Sequence, residues 1–581
     1  MEHLTLERLL MQHTPRALAR IPALARPWFL SLGERLLHLG EVRRFLEEHA
    51  DARGAELLDD IFDRLDVGYS VALRDRMRIP AEGRLIVVSN HPLGGLDGLA
   101  VLRALLEVRP DVRVVANDLL AAIPAFSDTF LPYGVFSRRP QKERLAAIGE
   151  ALDRGEAVVF FPAAEVARPS WHGIIERRWR NGAVRFARIH GAPILPIWVR
   201  ARNSFWFYAA SLFSTPASML MLPHELFNKR GRTIVLKVGD PIPATAFTAS
   251  PLEPRALTRL LQKHTLRVGK GKKGPFKTES TIAHPVDRRL LRTDLSQAEL
   301  LGITGDGKRI LTVDGTRRIV LRELARLREQ TFRSVGEGTG ARLDLDAYDR
   351  YYKHLVIWDE AGLEITGAYR IGVAGEILKE RGTEGLYSST LFEYSPAFQA
   401  LLPQAAELGR SFVQQRYWNS RALDQLWQGI GAFLASRPEI RYLFGCVSIS
   451  GAYPEPAKEL LVHFFRTWFG EEEGGARAKN PFVLSAVRAR DLRSLLPGEH
   501  YREELRRLKE ALKLYGCAIP TLFKQYAELC EPGGTKFLDF GVDPDFGHCV
   551  DGFILVDVTR LTAEKRARYL ERAQPQGEVA S

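Results

Sequence analysis

The chain of 581 residues contains only four cysteines, Cys446, Cys517, Cys530 and Cys549. That is too few for a disulfide scaffold, and none stands in a C-x-x-C pair. Neither a cystine framework nor a metal site is therefore expected. The start, Met1-Glu-His-Leu-Thr-Leu-Glu7, lacks the basic lead and apolar core of a secretory signal. A reducing, cytoplasmic setting is the resulting expectation. Long apolar runs are missing too. The nearest approach to a membrane span is the 22-residue stretch Asn203–His224, free of Lys, Arg, Asp and Glu but interrupted by Pro216 and five Ser or Thr. It suits a substrate-tunnel wall, an element dipping into a membrane interface, or a buried helix. No internal repeat is present. With 45% hydrophobic and 26% charged residues, the composition excludes wholesale disorder, collagen and a polytopic membrane protein. The length predicts two or three domains.

Negative charge is scarce in the first half. Residues 1–300 hold 44 Lys and Arg against 32 Asp and Glu, whereas residues 301–581 hold 38 of each, so the whole net charge of +12 lies in the first half. Such a half suits nucleic acid, an anionic membrane face or an acidic protein partner. The chain has no zinc, helix-turn-helix or aromatic-basic stacking motif, and no nucleic-acid partner is expected.

Residues 1–60 read as helices, with Leu30, Leu32, Leu36, Leu37, Leu39 and Phe45 at near-helical spacing. Within 61–266, apolar runs at 84–90, 112–116, 157–161, 194–199 and 234–238 predict strands. They alternate with helical patterns at 98–108, 141–153, 181–190 and 252–266, the signature of an α/β domain. Residues 267–280 are rich in Gly and Lys and read as a linker. Their formal G-x-G-x-x-G (Gly269, Gly271, Gly274) runs into Pro275, so no dinucleotide site is expected. A second α/β segment, 281–581, is predicted to carry a helix at 319–331 and a hairpin of 355–358 with 364–371. Further strands are expected at 386–392, 441–449 and 553–558, and helices at 396–408 and 421–436.

The chemistry of the first half centres on Asn90-His91-Pro-Leu-Gly-Gly-Leu-Asp97-Gly98, directly after a strand. A tight turn there brings the Asp97 carboxylate back to the His91 imidazole, leaving the other ring nitrogen as a base; a turn-capping Asp is the plain alternative. The string resembles the first motif, His-x4-Asp, of the glycerolipid (lysophosphatidate-type) acyltransferases. Here five residues intervene, as in a subgroup acting on lyso-aminolipids. Three more blocks follow in that family's order. Gly134-Val-Phe-Ser-Arg138-Arg139 is similar to its Gly…Phe…Arg motif. Phe160-Phe-Pro-Ala-Ala-Glu165 is similar to its Phe-Pro-Glu-Gly motif, with the acid two places late. Ala192-Pro193-Ile-Leu-Pro196 is similar to its apolar-Pro motif. The resemblance implies that His91 and Asp97 are catalytic. It places Gly134, Arg138, Arg139 and Glu165 at the substrate, an arginine gripping an anionic head or carrier phosphate, the alternative for the shifted Glu165 being a pairing with Arg168 or Arg139.

In the second half, Arg328, the acidic run Asp344, Asp346 and Asp349, Arg370, Glu407 and Arg410 stand in an order resembling GNAT-type N-acyltransferases. Within these, acyl-homoserine-lactone synthases and ornithine-lipid N-acyltransferases are the nearest likeness. The family's donor loop is replaced by Gln415-Arg-Tyr-Trp-Asn-Ser-Arg421, whose helix start suits a phosphopantetheine phosphate. Glu407 is the candidate to take the ammonium proton. Arg328, Asp346, Asp349, Arg370 and Arg410 are candidates to hold or brace the amino acid. Segments 540–546 and 551–557 look like the same family's C-terminal part and receive no role.

Together the two resemblances imply a bifunctional ornithine-lipid (aminolipid) synthase of α/β class. An N-terminal glycerolipid-acyltransferase fold would precede a C-terminal GNAT-like fold. No bound cofactor is implied; an acyl group on acyl carrier protein is the co-substrate. The implied partners are that carrier, an amino acid such as ornithine, a lyso-aminolipid, and the inner face of the cytoplasmic membrane. The competing expectation is a 1-acylglycerol-3-phosphate acyltransferase whose C-terminal domain has another activity or none.

Overall fold

The computed structural model describes residues 22, 26–36, 38–49, 53–116, 124–132, 141–163, 165–170, 173–213, 221–471 and 475–571. The chain divides into two compact units, Met1–Thr281 and Ile282–Ser581.

The first unit is built on a seven-stranded sheet. Its strands are β1 (Val67–Val71), β2 (Leu85–Ser89), β3 (Val112–Ala116), β4 (Phe130–Pro132), β5 (Ala157–Phe160), β8 (Ile194–Arg200) and β9 (Arg232–Val238), while β6 (Arg168–Ser170) and β7 (Gly173–Ile175) form a separate hairpin. The sheet order is β1-β9-β8-β2-β5-β3-β4. Only the β8–β9 pair is antiparallel. The middle strand β2 is buried along its whole length, as expected when helices cover both faces. Successive side chains point to opposite faces. Leu85 and Val87 join one core with the helices Gly54–Leu65 and Leu96–Leu106. Ile86 and Val88 join the other with Gln141–Asp153, Gly182–His190 and Pro254–Gly269. Each predicted strand of this unit forms. The short β1 and β4 were not expected; β1, Val-Gly-Tyr-Ser-Val, is too brief and polar to stand out.

The second unit holds an eight-stranded sheet in the order β10-β11-β12-β13-β15-β16-β19-β18. The strands are β10 (Glu299–Ile303), β11 (Arg309–Val313), β12 (Lys353–Asp359), β13 (Glu364–Val373), β15 (Ala405–Val413), β16 (Tyr442–Ile449), β18 (Thr535–Asp543) and β19 (Cys549–Asp557), with β14 (Phe392–Tyr394) and β17 (Ala476–Ala478) paired apart. All neighbours in the large sheet run antiparallel except β15 and β16. Helix Arg318–Ser334 covers one face through Val320, Leu324 and Leu327. Helix Ala422–Ala435 covers the other through Leu426, Ile430 and Phe433.

Two expectations fail here. Residues 396–408 were expected to be one helix; they form a single turn, Pro396–Gln399, a 3-10 turn at Leu402–Gln404, and then β15. Pro403 cannot continue a helix, and pairing between β13 and β16 overrides the helix propensity of Ala405, Ala406 and Leu408. Residues 386–392 were expected as a strand. The Glu407 carboxylate captures the backbone N–H groups of Tyr387 and Ser388 and bends this segment into a 3-10 turn.

Candidate functional site

Asn90 and His91 leave the end of β2 in mid-sheet, the edge at which open α/β sheets place ligands. Buried Asn90 ties this point to β8: its Nδ2 donates to Val199 O at 2.9 Å and its Oδ1 accepts from Val199 N at 2.6 Å. The loop turns at Gly94, whose φ of 99° and close approach to Leu222 both favour glycine. Asp97, wholly buried, stands in the first turn of helix Leu96–Leu106. Its Oδ2 accepts from Leu93 N at 2.8 Å and its Oδ1 from Gly98 N at 2.9 Å. Held in this way, Asp97 Oδ1 lies 3.1 Å from His91 Nδ1, at ion-pair distance. Both sequence readings of Asp97 are therefore realised in one residue: it caps the turn and faces the imidazole. Burial disfavours the imidazolium, but Asp97 and, more weakly, Glu176 outweigh it and hold the His91 pKa above its ordinary value.

Glu176 was not anticipated. Its Oε1 accepts from His91 N at 2.5 Å and its Oε2 from Trp179 Nε1 at 3.0 Å. Burial pushes its carboxyl up. Glu165, the acid of the third block, is placed differently. It accepts from Arg177 Nη1 at 2.8 Å and Arg168 Nη2 at 3.2 Å, and it does not line the cavity beside His91. Gly134, Arg138 and Arg139 lie outside the described residues.

That cavity measures about 1450 Å³, more than a drug-sized ligand needs. His91 lies in its wall beside Phe161, ring centroids 4.6 Å apart. Leu99, Val114, Phe126, Phe130, Phe160 and Leu226 make further walls apolar, and the exposed Arg178, Arg180, Arg185, Arg255 and Arg259 also border it. Among the described residues none of these five arginines forms an ion pair. A wide apolar space with a histidine and unpaired cations in its wall has room for an acyl chain, a hydroxyl and a phosphate together. The arginines are scattered over two stretches of sequence, which is why no motif marked them.

In the second unit the expected residues do meet, but mostly with one another. Arg328 Nη1 donates to Asp349 Oδ1 at 2.6 Å, and Arg370 Nη1 to Asp346 Oδ1 at 2.6 Å. Arg370 Nη1 also lies 3.3 Å from Asp349 Oδ1, and Arg410 lies 3.2 Å from Asp344 and 3.6 Å from Asp346. Asp346 and Asp349 cap the 3-10 turn Ala347–Arg350 reciprocally. Burial would raise the Asp349 carboxyl, but Arg328 and Arg370 outweigh it and hold it below the usual range. Buried His354, 3.0 Å from Arg328 Nη2, is pushed down to about 3 by burial and that arginine and stays neutral. Three arginines thus balance three aspartates. Arg370 and Arg410 still reach a second cavity, of about 120 Å³, whereas Arg328, Asp346 and Asp349 do not line it.

This cavity lies where two parallel strands part. β15 and β16 pair only through Ala405–Glu407 and Tyr442–Phe444. At the next residue Gly445 takes φ 152°, and a Cβ there would meet Leu408 O at 2.1 Å. Leu408, Gly409, Arg410 and Ser411 border the gap on one side and Cys446, Val447 and Ser448 on the other. Glu407, 2% exposed, also touches it but is saturated. Its carboxylate accepts from Ser388 N at 2.6 Å, Tyr387 N at 3.0 Å and the hydroxyls of Tyr352 and Ser388. The expected proton acceptor is therefore a carboxylate already engaged in four hydrogen bonds. The same cavity holds Glu337, Asp543 and Asp551, which no sequence argument had assigned.

A strand-end histidine–aspartate pair over an apolar cavity, and a mixed sheet opening between two parallel strands, describe two kinds of acyl-transfer domain in one enzyme. Matching family models agree: one described as Acyltransferase covers residues 8–267, and one described as Acetyltransferase (GNAT) domain covers 327–428. A glycine N(alpha)-acyltransferase of Bacteroides thetaiotaomicron is 31% identical over 50% of this chain and 89% of its own. A lyso-glycine lipid O-acyltransferase of the same organism is 26% identical over 42% of this chain and 90% of its own. An L-ornithine N(alpha)-acyltransferase of Brucella abortus is 31% identical over 42% of this chain and 83% of its own. The chain belongs to the aminolipid acyltransferases, with an O-acyltransferase and an N-acyltransferase domain fused in one polypeptide.

Proposed function

We propose that this enzyme builds a two-chain aminolipid by two successive acyl transfers. The second unit moves a 3-hydroxyacyl group from acyl carrier protein to the amine of an amino acid, ornithine being the substrate we favour. The first unit then esterifies the new hydroxyl with a second acyl group. His91 Nδ1 faces Asp97, so Nε2 is the nitrogen that receives the hydroxyl proton as the oxygen attacks the thioester carbonyl. Asp97 steadies the imidazolium that results. The unpaired arginines hold an anion, either the phosphate of the carrier's phosphopantetheine or the carboxylate of the lyso-aminolipid head group. In the second unit the start of helix Ala422–Ala435, where the N-cap residue Arg421 makes no side-chain cap and Ser420 Oγ accepts from Ala422 N at 3.1 Å, suits the donor's phosphate. Arg370 and Arg410 face the amino-acid end of the cavity, and Arg328, Asp346 and Asp349 brace them.

The observation that carries this reading is the presence, in one chain, of both sites, each in a unit with relatives named for successive steps. Association with the inner membrane face fits the exposed Phe205, Trp206 and Leu212, which are 77%, 73% and 68% accessible. Among the described residues no helix is long and apolar enough to cross a membrane. The test is reconstitution: the purified chain, an amino acid and acyl carrier protein loaded with 3-hydroxyacyl and acyl groups should give first a one-chain and then a two-chain product. Acylation of lysophosphatidate alone would favour the glycerolipid alternative.

A further inference from the structure

We propose that Asp551 accepts the ammonium proton of the amino-acid substrate, an assignment that rests on the N-acyl transfer proposed above. Where β15 and β16 part, their facing N–H and C=O groups lose each other as partners and must find new ones. An amide-bearing thioester arm supplies them, which sets the reactive carbonyl beside the residues that follow Glu407 and Phe444. Asp551 lies on β19 directly opposite Ser448 of β16, is 4% exposed, and lines the cavity at this gap.

Its surroundings suit a base. Asp543 faces it from β18, Glu337 from the loop after helix Arg318–Ser334, Arg410 from β15, Cys446 and Ser448 from β16, and Cys549 from its own strand. Cys549 Sγ donates to Asp551 Oδ1 at 3.5 Å. Burial and the Asp543 charge push the Asp551 carboxyl up to about 6. It is thus ionised at neutral pH yet far more basic than a surface aspartate. Burial and Asp551 push Glu337 higher, to about 7. Burial drives the Cys446 thiol well above its ordinary range, so it stays protonated. Glu407 is engaged by four donors, and taking a proton would break at least one of those bonds.

The step balances. Asp551 removes one proton from the substrate ammonium, and the neutral amine attacks the thioester carbonyl carbon. The C–N bond forms and the C–S bond breaks. The second nitrogen proton goes to the departing thiolate, giving a free thiol, and Asp551 returns its proton to water.

The test is the pH profile of N-acylation by the full chain, with amino acid and 3-hydroxyacyl carrier protein supplied. Wild type should show an acid limb near pH 6. Asp551→Asn, of the same size, should lose ~10²–10⁴-fold in kcat, leave KM nearly unchanged and lose that limb. Asp543→Asn removes the charge that holds Asp551 up, so its acid limb should move to lower pH. That shift is read even where Asp551→Asn melts early. Asp551→Asn at the wild-type rate, or an unmoved limb in Asp543→Asn, overturns the assignment. A wild-type chain that N-acylates nothing overturns the functional reading itself.

Discussion

In the first unit one imidazole and one carboxylate meet beside a wide apolar cavity bordered by unpaired arginines. In the second, three arginines and three aspartates lock together in the interior and leave only a small opening. The chemistry expected of both is acyl transfer, yet the ionisable residues serve opposite ends. Asp97 is spent on one loop and one ring, so its partner keeps a free nitrogen. Arg328 and Asp349 are spent on each other. An ion pair buried this completely contributes little net stability as a pair, but removing one partner strands a charge. The contrast teaches that charged residues standing in a family's order can be the frame of a site rather than its working groups.

The largest effect should come from His91→Ala. O-acylation of a supplied lyso-aminolipid should fall ~10²–10⁴-fold, the usual worth of a general base. N-acylation by the same preparation should stay at its wild-type rate. Equal loss of both in a chain that melts normally would break the separation of the two sites.

Arg328→Met should act on stability. It leaves Asp349 buried with less countercharge, at a cost of about 3–5 kcal/mol. Denaturant unfolding followed by tryptophan fluorescence should show an earlier transition, with His91-dependent O-acylation outlasting N-acylation as denaturant rises. An unchanged midpoint would mean the network is not the frame described.

A smaller effect is expected of Glu176→Gln. His91 must be neutral to act as a base, and its pKa is held above the ordinary imidazole value partly by Glu176. Removing that negative charge lowers the His91 pKa, so the acid limb of O-acylation should move to lower pH while the plateau rate changes little. A limb that moves upward, or stays, would detach Glu176 from the imidazole.

The smallest concerns the surface. Trp206→Ser should weaken, without abolishing, retention on anionic vesicles, since a fully buried large side chain is worth at most ~1.5–3 kcal/mol. Retention should also fall as salt rises, because charges are screened beyond ~8 Å at physiological ionic strength. Salt-resistant retention would point to deeper insertion, and none at all would remove the membrane proposal.

The strands of the first unit were legible because parallel strands buried on both faces are continuous apolar runs, as Leu85–Val88 is. The His91–Asp97 contact was legible because only five residues, two of them glycines, separate them. Glu176 was not, since nothing local distinguishes a glutamate that reaches a distant backbone N–H. In the second unit the β15 sequence Ala-Ala-Glu-Leu favours helix, and only pairing with β13 and β16 makes it a strand. That error hid both the gap beside Gly445 and the saturation of Glu407, because the donors come from Tyr352, Tyr387 and Ser388, far away in sequence. Asp551 sat unassigned in an ordinary apolar strand.

The central claim, two independent acyl transfers made in order by one chain, is tested most directly by lipid mass spectrometry of a host without aminolipids. Wild type should produce a two-chain aminolipid, and His91→Ala should accumulate only the one-chain N-acyl product. A His91→Ala chain that yields the two-chain lipid, or a wild type that changes only glycerophospholipids, would contradict the account.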